Sequence, residues 1–236
     1  MDKKKNLERA MRSLRSGNIV LVFDDAEREA ETDMVVAAEH CTPHHVKVLR
    51  KEAGGLICAA LHPRVAKALE LPFLTDIYQS AVHRYPVLGD LAPTDIPYDE
   101  RSSFTIPVNH RKTFTGITDR DRALTIRELA KLAHKVEEGL GKEYFGLNFR
   151  SPGHVHLLRA ADGLVAERRG HTELTTALAE LAGITPVVAI CEMMDDDGGA
   201  LSKKKAIKYA EAHNMVFLEG CEIVDAYLGK NKGSGG

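Results

Sequence analysis

Short apolar segments alternate along this chain with segments whose apolar residues recur at helical spacing. This alternation constrains the fold more than any other feature of the sequence. Strands that alternate with helices along a chain bury their apolar faces by forming a layered α/β arrangement. No internal repeat or linker interrupts it. We therefore predict one mixed α/β domain over residues 1–228. The strand-like segments are NIVLVF, MVVAAE, LICAAL, SFTIPVN, HVHLLRA, PVVAIC and MVFL.

Local start and stop signals delimit the predicted helices. Gly17 is placed to end a first helix that contains Leu7 and Leu14. Thr42 and Pro43 predict the start of a helix that stops at Gly54. The pattern T-I-R-E, which begins at Thr125, predicts a capping box before another helix. Further helices are predicted over 64–71, 173–182, 202–214 and 222–229, and Gly183 is placed to end the second of these.

Two segments lack such periodicity. Residues 72–102 contain four prolines, which predicts a long irregular excursion that packs on the surface or over a site. The Gly- and Ser-rich end, residues 229–236, is predicted to be a mobile tail. Pro107 predicts an edge or bulge position for the strand that contains it.

Composition excludes several classes of protein. A hydrophobic content of 44% is typical of a chain with a sizeable core, and a net charge of -2 provides no overall basic field for nucleic acid. The four scattered cysteines indicate reduced thiols rather than a disulfide framework. Without an apolar run of about 18 residues or a signal peptide, we expect no membrane association and a cytoplasmic location.

A first polar cluster, DDAEREAETDM, covers residues 24–34 and directly follows a buried strand. A solvated turn is the ordinary explanation of such a charge run. However, six crowded acids repel one another, and a divalent cation or Arg28 would offset that repulsion. If residues 29–33 are extended, Glu29, Glu31 and Asp33 share one face. The cluster therefore indicates a candidate site for a hard metal ion.

A second cluster, ERRGHTE, covers residues 167–173 and precedes a helix. Arg168 and Arg169 supply positive charge, Gly170 allows close approach of the backbone, and Thr172 lies near the free N–H groups of the helix start. The cluster could hold a phosphate group. A lone histidine is usually structural, but His171 in this position could also bind a metal.

A third cluster, CEMMDDDG, places Glu192 at the end of a buried strand. Burial there would raise the pKa of its carboxyl group and suit it to proton transfer. An ordinary acid between a strand and a loop is the alternative. His154, in SPGHVHLL, could likewise be a core histidine, since spacing alone does not decide its role.

These clusters, taken in order with GGLICAAL, FTGITDRDRA and RSPGHVHLLRA, resemble the 3,4-dihydroxy-2-butanone-4-phosphate synthase family over residues 6–228. The resemblance implies a three-layer α/β fold around a mixed twisted sheet and a cytoplasmic homodimer with active sites near the subunit interface. It also implies a carbon–carbon lyase of riboflavin biosynthesis that uses Mg²⁺ or Mn²⁺, with two ions per site. The excursion and the residues at 137–150 resemble the archaeal form, and the chain lacks the cysteine cluster of a GTP cyclohydrolase II domain.

The resemblance also implies roles for individual residues. Glu29 and His171 would be the metal ligands, and His154, Glu192 and Asp33 would be the catalytic residues. Which of these three removes the first proton stays open. The substrate-binding residues implied by the resemblance are Arg28, Glu29, Asp33, Cys58, Thr115, Arg168, Arg169, Gly170, His171, Thr172 and Glu192.

The expected substrate is D-ribulose 5-phosphate, and the expected products are formate and L-3,4-dihydroxy-2-butanone 4-phosphate. Our hypothesis for the route is metal-assisted enolisation, dehydration, skeletal rearrangement and loss of C4 as formate. A rival hypothesis is a non-catalytic RNA- or nucleotide-binding module, in which Lys203 to Lys205 form a basic patch with Arg168 and Arg169. That module would have no need of Glu29, Asp33 and Glu192 beside the patch, so we expect no nucleic-acid partner.

Overall fold

A computed structural model describes residues 3–99 and 101–233 of the chain. Its strands form one seven-stranded sheet in the order β4-β5-β3-β6-β2-β1-β7. The sheet is mixed, because β1 pairs with β7 and β3 with β5 in parallel, while the other neighbours are antiparallel. The strands are β1 Val20–Phe23, β2 Thr32–Ala37, β3 Cys58–Leu61, β4 Phe104–His110, β5 Phe149–Arg159, β6 Val187–Glu192 and β7 Val216–Glu219.

Helices cover both faces of this sheet and make the predicted three layers. The α-helices are α1 Lys3–Arg15, α2 Pro43–Val48, α3 Pro63–Ala68, α4 Leu74–Ala81, α5 Val87–Asp90, α6 Asp119–Glu137, α7 Gly141–Asn148, α8 His171–Ala182, α9 Lys203–Ala212 and α10 Gly220–Gly233. Helices α1, α8 and α10 pack together on one face, whereas α2, α3 and α7 pack around α6 on the other.

Two apolar cores fill the spaces between the layers. Alternate side chains of the central strands enter opposite cores: Met34 and Val36 of β2 point into one, and Val35 points into the other. Every residue of β1, β2 and β3 is buried. This accounts for the near-continuous apolar segments in the sequence, since strands covered on both faces need no polar side.

Several local signals are confirmed. Gly17, Gly54 and Gly183 follow helical segments with positive φ angles of 76°, 90° and 65°. Thr42 makes the predicted cap of α2, and a π-helical turn, Leu49–Ala53, continues that helix towards Gly54. Pro107 lies in the edge strand β4 next to a register shift, as its missing N–H group requires.

Three local predictions are wrong. Helix α6 begins at Asp119 with Thr118 as its cap, so Thr125 lies inside the helix, where its hydroxyl accepts a hydrogen bond from the His110 amide. The excursion at 72–102 contains α4 and α5. Apolar residues of α4, at positions 74, 77, 78 and 81, recur at helical spacing, but α4 is only 8 residues long and lies between prolines, so the prediction missed it.

The third error concerns the end of the chain. Helix α10 continues to Gly233, so the first residues of the predicted mobile tail are helical, while 234–236 lie outside the described residues. The domain boundary at residue 228 stays a prediction. Within the described ranges, none of the helices has the length and apolar character to cross a bilayer.

Candidate active site

The acidic segment after β1 is an ordered loop around Asp24. The Asp24 carboxylate, which is 4% exposed, accepts hydrogen bonds from the backbone N–H groups of Glu29 and Glu31, both at 3.0 Å. Ala30 has a φ angle of 57°, so residues 29–33 are not extended throughout, and only Thr32 and Asp33 belong to a strand, β2. The turn nevertheless brings Glu29 towards the start of β2, because Asp24 holds both of its ends.

His171, the first residue of α8, is buried against this loop. Its Nδ1 lies 3.1 Å from Oε2 of Glu29, and its Nε2 lies 3.3 Å from the carbonyl oxygen of Glu31 and 3.6 Å from Oδ1 of Asp33. Burial lowers the pKa of His171, but the carboxylates of Asp33, Glu29 and Asp24 outweigh it and raise that pKa to about 9. The ring therefore joins the start of α8 to two acids of the segment that follows β1.

Asp33 lies in β2 and is 1% exposed. Neither of its carboxyl oxygens has a hydrogen-bond partner among the described residues, and burial raises its pKa to about 8. An unsatisfied buried carboxyl group of this kind is costly, since about 1–3 kcal/mol is lost with each missing partner. Its cost to folding suggests a role for Asp33 in binding or catalysis.

Glu192 ends β6 directly opposite Asp33 in the antiparallel register. The N–H group of Leu56 donates to Oε2 of Glu192 at 2.8 Å, and the N–H group of Gly55 donates to its carbonyl oxygen at 3.0 Å. A Cβ atom on Gly55 would overlap Oε2 of Glu192, so a glycine is needed where this carboxylate crosses the backbone. Cys58 is the first residue of β3, and burial, with Glu192 and Asp33 close by, raises its pKa.

Asp24, Glu29, Asp33 and Glu192, with His171, form what we call the acidic group. Arg28 connects the acidic group to an arginine-lined cleft. Its Nη1 lies 3.0 Å from Oε2 of Glu29, and its Nη2 donates to Oδ2 of Asp99 at 2.7 Å. The cleft has a volume of about 600 Å³. Its charged lining residues are Arg28, Asp99, Arg101, Arg159, Glu167, Arg168, Arg169 and Glu173.

Arg168 fixes the far side of the cleft. Its guanidinium group contacts Asp99 and the buried carboxylate of Glu173, which also accepts the N–H group of Ala161 at 2.8 Å. Gly170 caps α8, and a Cβ atom there would overlap the guanidinium group of Arg168. Thr172, in the first turn, is buried. The start of α8 therefore contributes to both the acidic group and the cleft.

Two of the predicted site residues lie elsewhere. His154 is exposed, and its backbone N–H donates to Oδ1 of Asn109 at 2.8 Å. Thr115 lies in a neighbouring loop, where its hydroxyl donates to Asp121. The register pairs Cys58 with both Ile190 and His156, so β3 separates β5, which contains His154, from β6, which contains Glu192. Within the described chain, neither residue contacts Glu29, Asp33 or His171.

Several residues of this region escaped sequence reasoning. Asp24 belonged to the acidic run but had no assigned role, although its position directly after a buried strand was a usable signal. Glu173 stood in the second cluster as a first-turn acid. Asp99 gave no local signal, because it lies in the aperiodic excursion and reaches the arginines only through the tertiary fold.

Comparison with known proteins identifies the family. The family model described as 3,4-dihydroxy-2-butanone 4-phosphate synthase matches residues 8–226. The chain belongs to this family. A protein of that name from Methanothermobacter thermautotrophicus is 54% identical over 223 residues, which cover 94% of this chain and 96% of the relative. One from Archaeoglobus fulgidus is 50% identical over 224 residues, with 94% of each chain covered.

A solved structure gives the same result for the fold. The crystal structure of a 3,4-dihydroxy-2-butanone 4-phosphate synthase in complex with two magnesium ions is 30% identical and aligns with a TM-score of 0.76. The alignment covers 96% of this chain and 98% of that one. The expected fold class is confirmed.

Membership of the family establishes the activity. The chain is a lyase of riboflavin biosynthesis that converts D-ribulose 5-phosphate to L-3,4-dihydroxy-2-butanone 4-phosphate and formate. The rival nucleic-acid module is not supported. In its supposed basic patch, Lys203 and Lys205 pair with Glu219 and Asp195, and Arg168 contacts two acids.

Proposed function

We propose that the two halves of this site bind the two ends of D-ribulose 5-phosphate. The acidic group around His171 binds divalent metal and the end of the substrate that carries the carbonyl and hydroxyl groups. The arginine-lined cleft binds the phosphate group. The observation that supports this division is the position of Arg28, whose two terminal nitrogens contact Glu29 on one side and Asp99 on the other. A single side chain therefore spans both halves.

The residues of the acidic half fit a hard divalent cation. One ligand atom each from Asp24, Glu29 and His171 lie within 4.8 Å of one another, and Asp33 adds two unsatisfied oxygens nearby. Carboxylate oxygens suit Mg²⁺ and Mn²⁺, and neutral imidazole is a common metal ligand in proteins. Asp24 already accepts two backbone hydrogen bonds, so we assign the binding to Glu29 and His171 and give Asp24 the task of shaping the loop.

Two ions per site, Mg²⁺ or Mn²⁺, are part of the proposal, and the related protein with two magnesium ions supports that number. Bound metal supplies Lewis-acid polarisation of the carbonyl and hydroxyl oxygens of the substrate. Glu29 and His171 would hold it, with His171 as the neutral imidazole once the metal displaces its proton. Arg28, 3.0 Å from Oε2 of Glu29, would balance the excess negative charge. The buried position of His171 at the helix start keeps its ring in one orientation.

Asp33 and Glu192 are our candidates for proton transfer at C3. They face each other across β2 and β6, and they come from strands that the two cores hold rigidly. Asp33, whose buried carboxyl oxygens have no hydrogen-bond partner among the described residues, is the candidate donor, and Glu192 is the candidate acceptor. The Leu56 amide orients the Glu192 carboxylate. His154 stays a candidate for a later proton transfer.

The phosphate half makes the first testable prediction. Replacing Arg168 with Gln should raise KM for D-ribulose 5-phosphate about tenfold to hundredfold, because charge-assisted contacts of about 1.5–3 kcal/mol are lost. Steady-state kinetics would measure this, with Arg64→Gln as the control, since Arg64 forms an exposed ion pair with Glu137. An Arg168→Gln enzyme with unchanged KM would contradict the phosphate assignment.

A cytoplasmic homodimer completes the proposal. The loop that contains Thr115 exposes Phe114 to 93% and Ile117 to 51%, although Asp121 holds that loop by accepting hydrogen bonds from the Phe114 and Gly116 amides. Apolar side chains exposed on an ordered loop are typical of a contact surface. A second copy that covers this loop would bury them and bring Thr115 and His154 to a subunit interface.

A further inference from the structure

The excursion at 72–102 places the carboxylate of Asp99 between two arginines of the cleft. One oxygen, Oδ2, accepts a hydrogen bond from Nη2 of Arg28 at 2.7 Å and another from Nε of Arg168 at 2.7 Å. A second nitrogen of Arg168 also contacts this oxygen. The side chain of Asp99 is 11% exposed, so solvent screens these contacts only weakly.

This geometry is the one that a phosphate oxygen adopts between two guanidinium groups. An anionic oxygen shared by two arginines makes the strong, charge-assisted contacts by which proteins bind phosphate. The pKa of Asp99 is lowered: burial raises it, but the hydrogen bond from Arg168 and the charges of both arginines outweigh burial. The chain therefore presents its own anion to the two arginines.

Two aromatic residues of the excursion contact arginines of the cleft that lie outside it. The guanidinium group of Arg28 lies 5.3 Å from the ring centroid of Tyr98, and that of Arg159 lies 4.8 Å from the centroid of Phe73. Cation–π contacts of this kind are each worth about 0.5–1 kcal/mol where they are exposed. They give the excursion contacts that do not depend on the Asp99 carboxylate.

We propose that Asp99 is an intramolecular competitor of the substrate's phosphate group and thereby sets the affinity of the site. The inference rests on the proposed function, in which Arg28 and Arg168 serve the substrate. The Asp99 carboxylate carries one negative charge, whereas a phosphate monoester carries up to two and has three acceptor oxygens. The phosphate therefore displaces Asp99, and the carboxylate returns to the arginines when the phosphorylated product leaves.

Binding of inorganic phosphate to the full-length protein tests this inference. Isothermal titration calorimetry in the presence of EDTA prevents phosphate from binding through metal. Replacing Asp99 with Asn removes the competing charge and should tighten phosphate binding about five- to tenfold. KM for D-ribulose 5-phosphate should also fall, because its phosphate group meets the same lost competition. Asp95→Asn is the matched control, because it removes an exposed acid of the same segment, and it should change both quantities less than about twofold.

The outcomes separate this inference from the function on which it rests. If Asp99→Asn binds phosphate no more tightly than the wild type, or binds it more weakly, the competitor role is overturned and Asp99 only positions the arginines. An equal effect of Asp95→Asn would also overturn it, since general charge would then explain the change. If Arg168→Gln leaves phosphate binding unaltered, the phosphate assignment itself fails, and the competitor role fails with it.

Discussion

Replacing Glu29 or His171 with Gln is expected to abolish turnover while the fold is retained. Each change removes one of the two proposed protein ligands, so the polarisation of the substrate oxygens is lost together with the metal. Several kcal/mol of transition-state stabilisation correspond to a fall in kcat of at least about a thousandfold. The rest of α8 and the loop around Asp24 stay in place, because Asp24 makes its backbone contacts independently.

Manganese binding, followed by electron paramagnetic resonance, would check this prediction apart from activity. Both variants should bind Mn²⁺ far more weakly than the wild type, while circular dichroism and thermal unfolding stay near those of the wild type. Glu27→Gln is the control, since Glu27 is an exposed acid of the same loop. Near-native turnover in either variant would show that the metal assignment is wrong.

Replacing Glu192 with Gln is expected to lower kcat by a factor of about 10² to 10⁴, the usual contribution of a general base. The amide is nearly isosteric, and its oxygen can still accept the Leu56 N–H group, so the local structure should persist. KM should stay nearly constant, because Glu192 is not part of the arginine cleft. The effect would therefore appear in kcat rather than in substrate binding.

Steady-state kinetics of this variant would distinguish a role of Glu192 in proton transfer from a role in substrate binding. Asp196→Asn, a change at an exposed acid in the following loop, is the control and should leave both constants unaltered. If Glu192→Gln changed KM alone, Glu192 would be a binding residue and the proton-transfer assignment would have to pass to Asp33 or His154.

The elements of the fold could be predicted where the signal was local. Gly17 and Gly183 act through the conformation of their own backbone, and Thr42 acts through a side-chain hydrogen bond from His45, three residues on, so their effects are visible in the sequence. The capping box predicted at Thr125 is wrong because the Thr125 hydroxyl accepts a buried hydrogen bond from His110 of β4, which only the tertiary structure shows. Helix α4 carries apolar residues at helical spacing over only 8 residues, and α5 has only 4 residues, so the signal of each was too short to be recognised among the prolines.

The site was harder to predict because its parts meet through sheet register. Asp33 and Glu192 lie 159 positions apart in sequence, but β2 and β6 pair them directly. The separate acid and arginine clusters were visible, whereas their connection through Arg28 was not. Asp99 joins the cleft from an excursion without any chemical motif, so neither residue spacing nor the family resemblance selected it.

The central claim, a metal-dependent lyase that releases formate, is tested most directly by one assay. The protein is incubated with D-ribulose 5-phosphate and Mg²⁺, and formate and the four-carbon phosphate are quantified, for example by ¹³C NMR with substrate labelled at C4. We expect the two products in equal amounts, with the label in formate, and we expect EDTA to stop the reaction and excess Mg²⁺ to restore it. Folded protein that releases no formate with Mg²⁺, or releases it equally well in EDTA, would contradict the account.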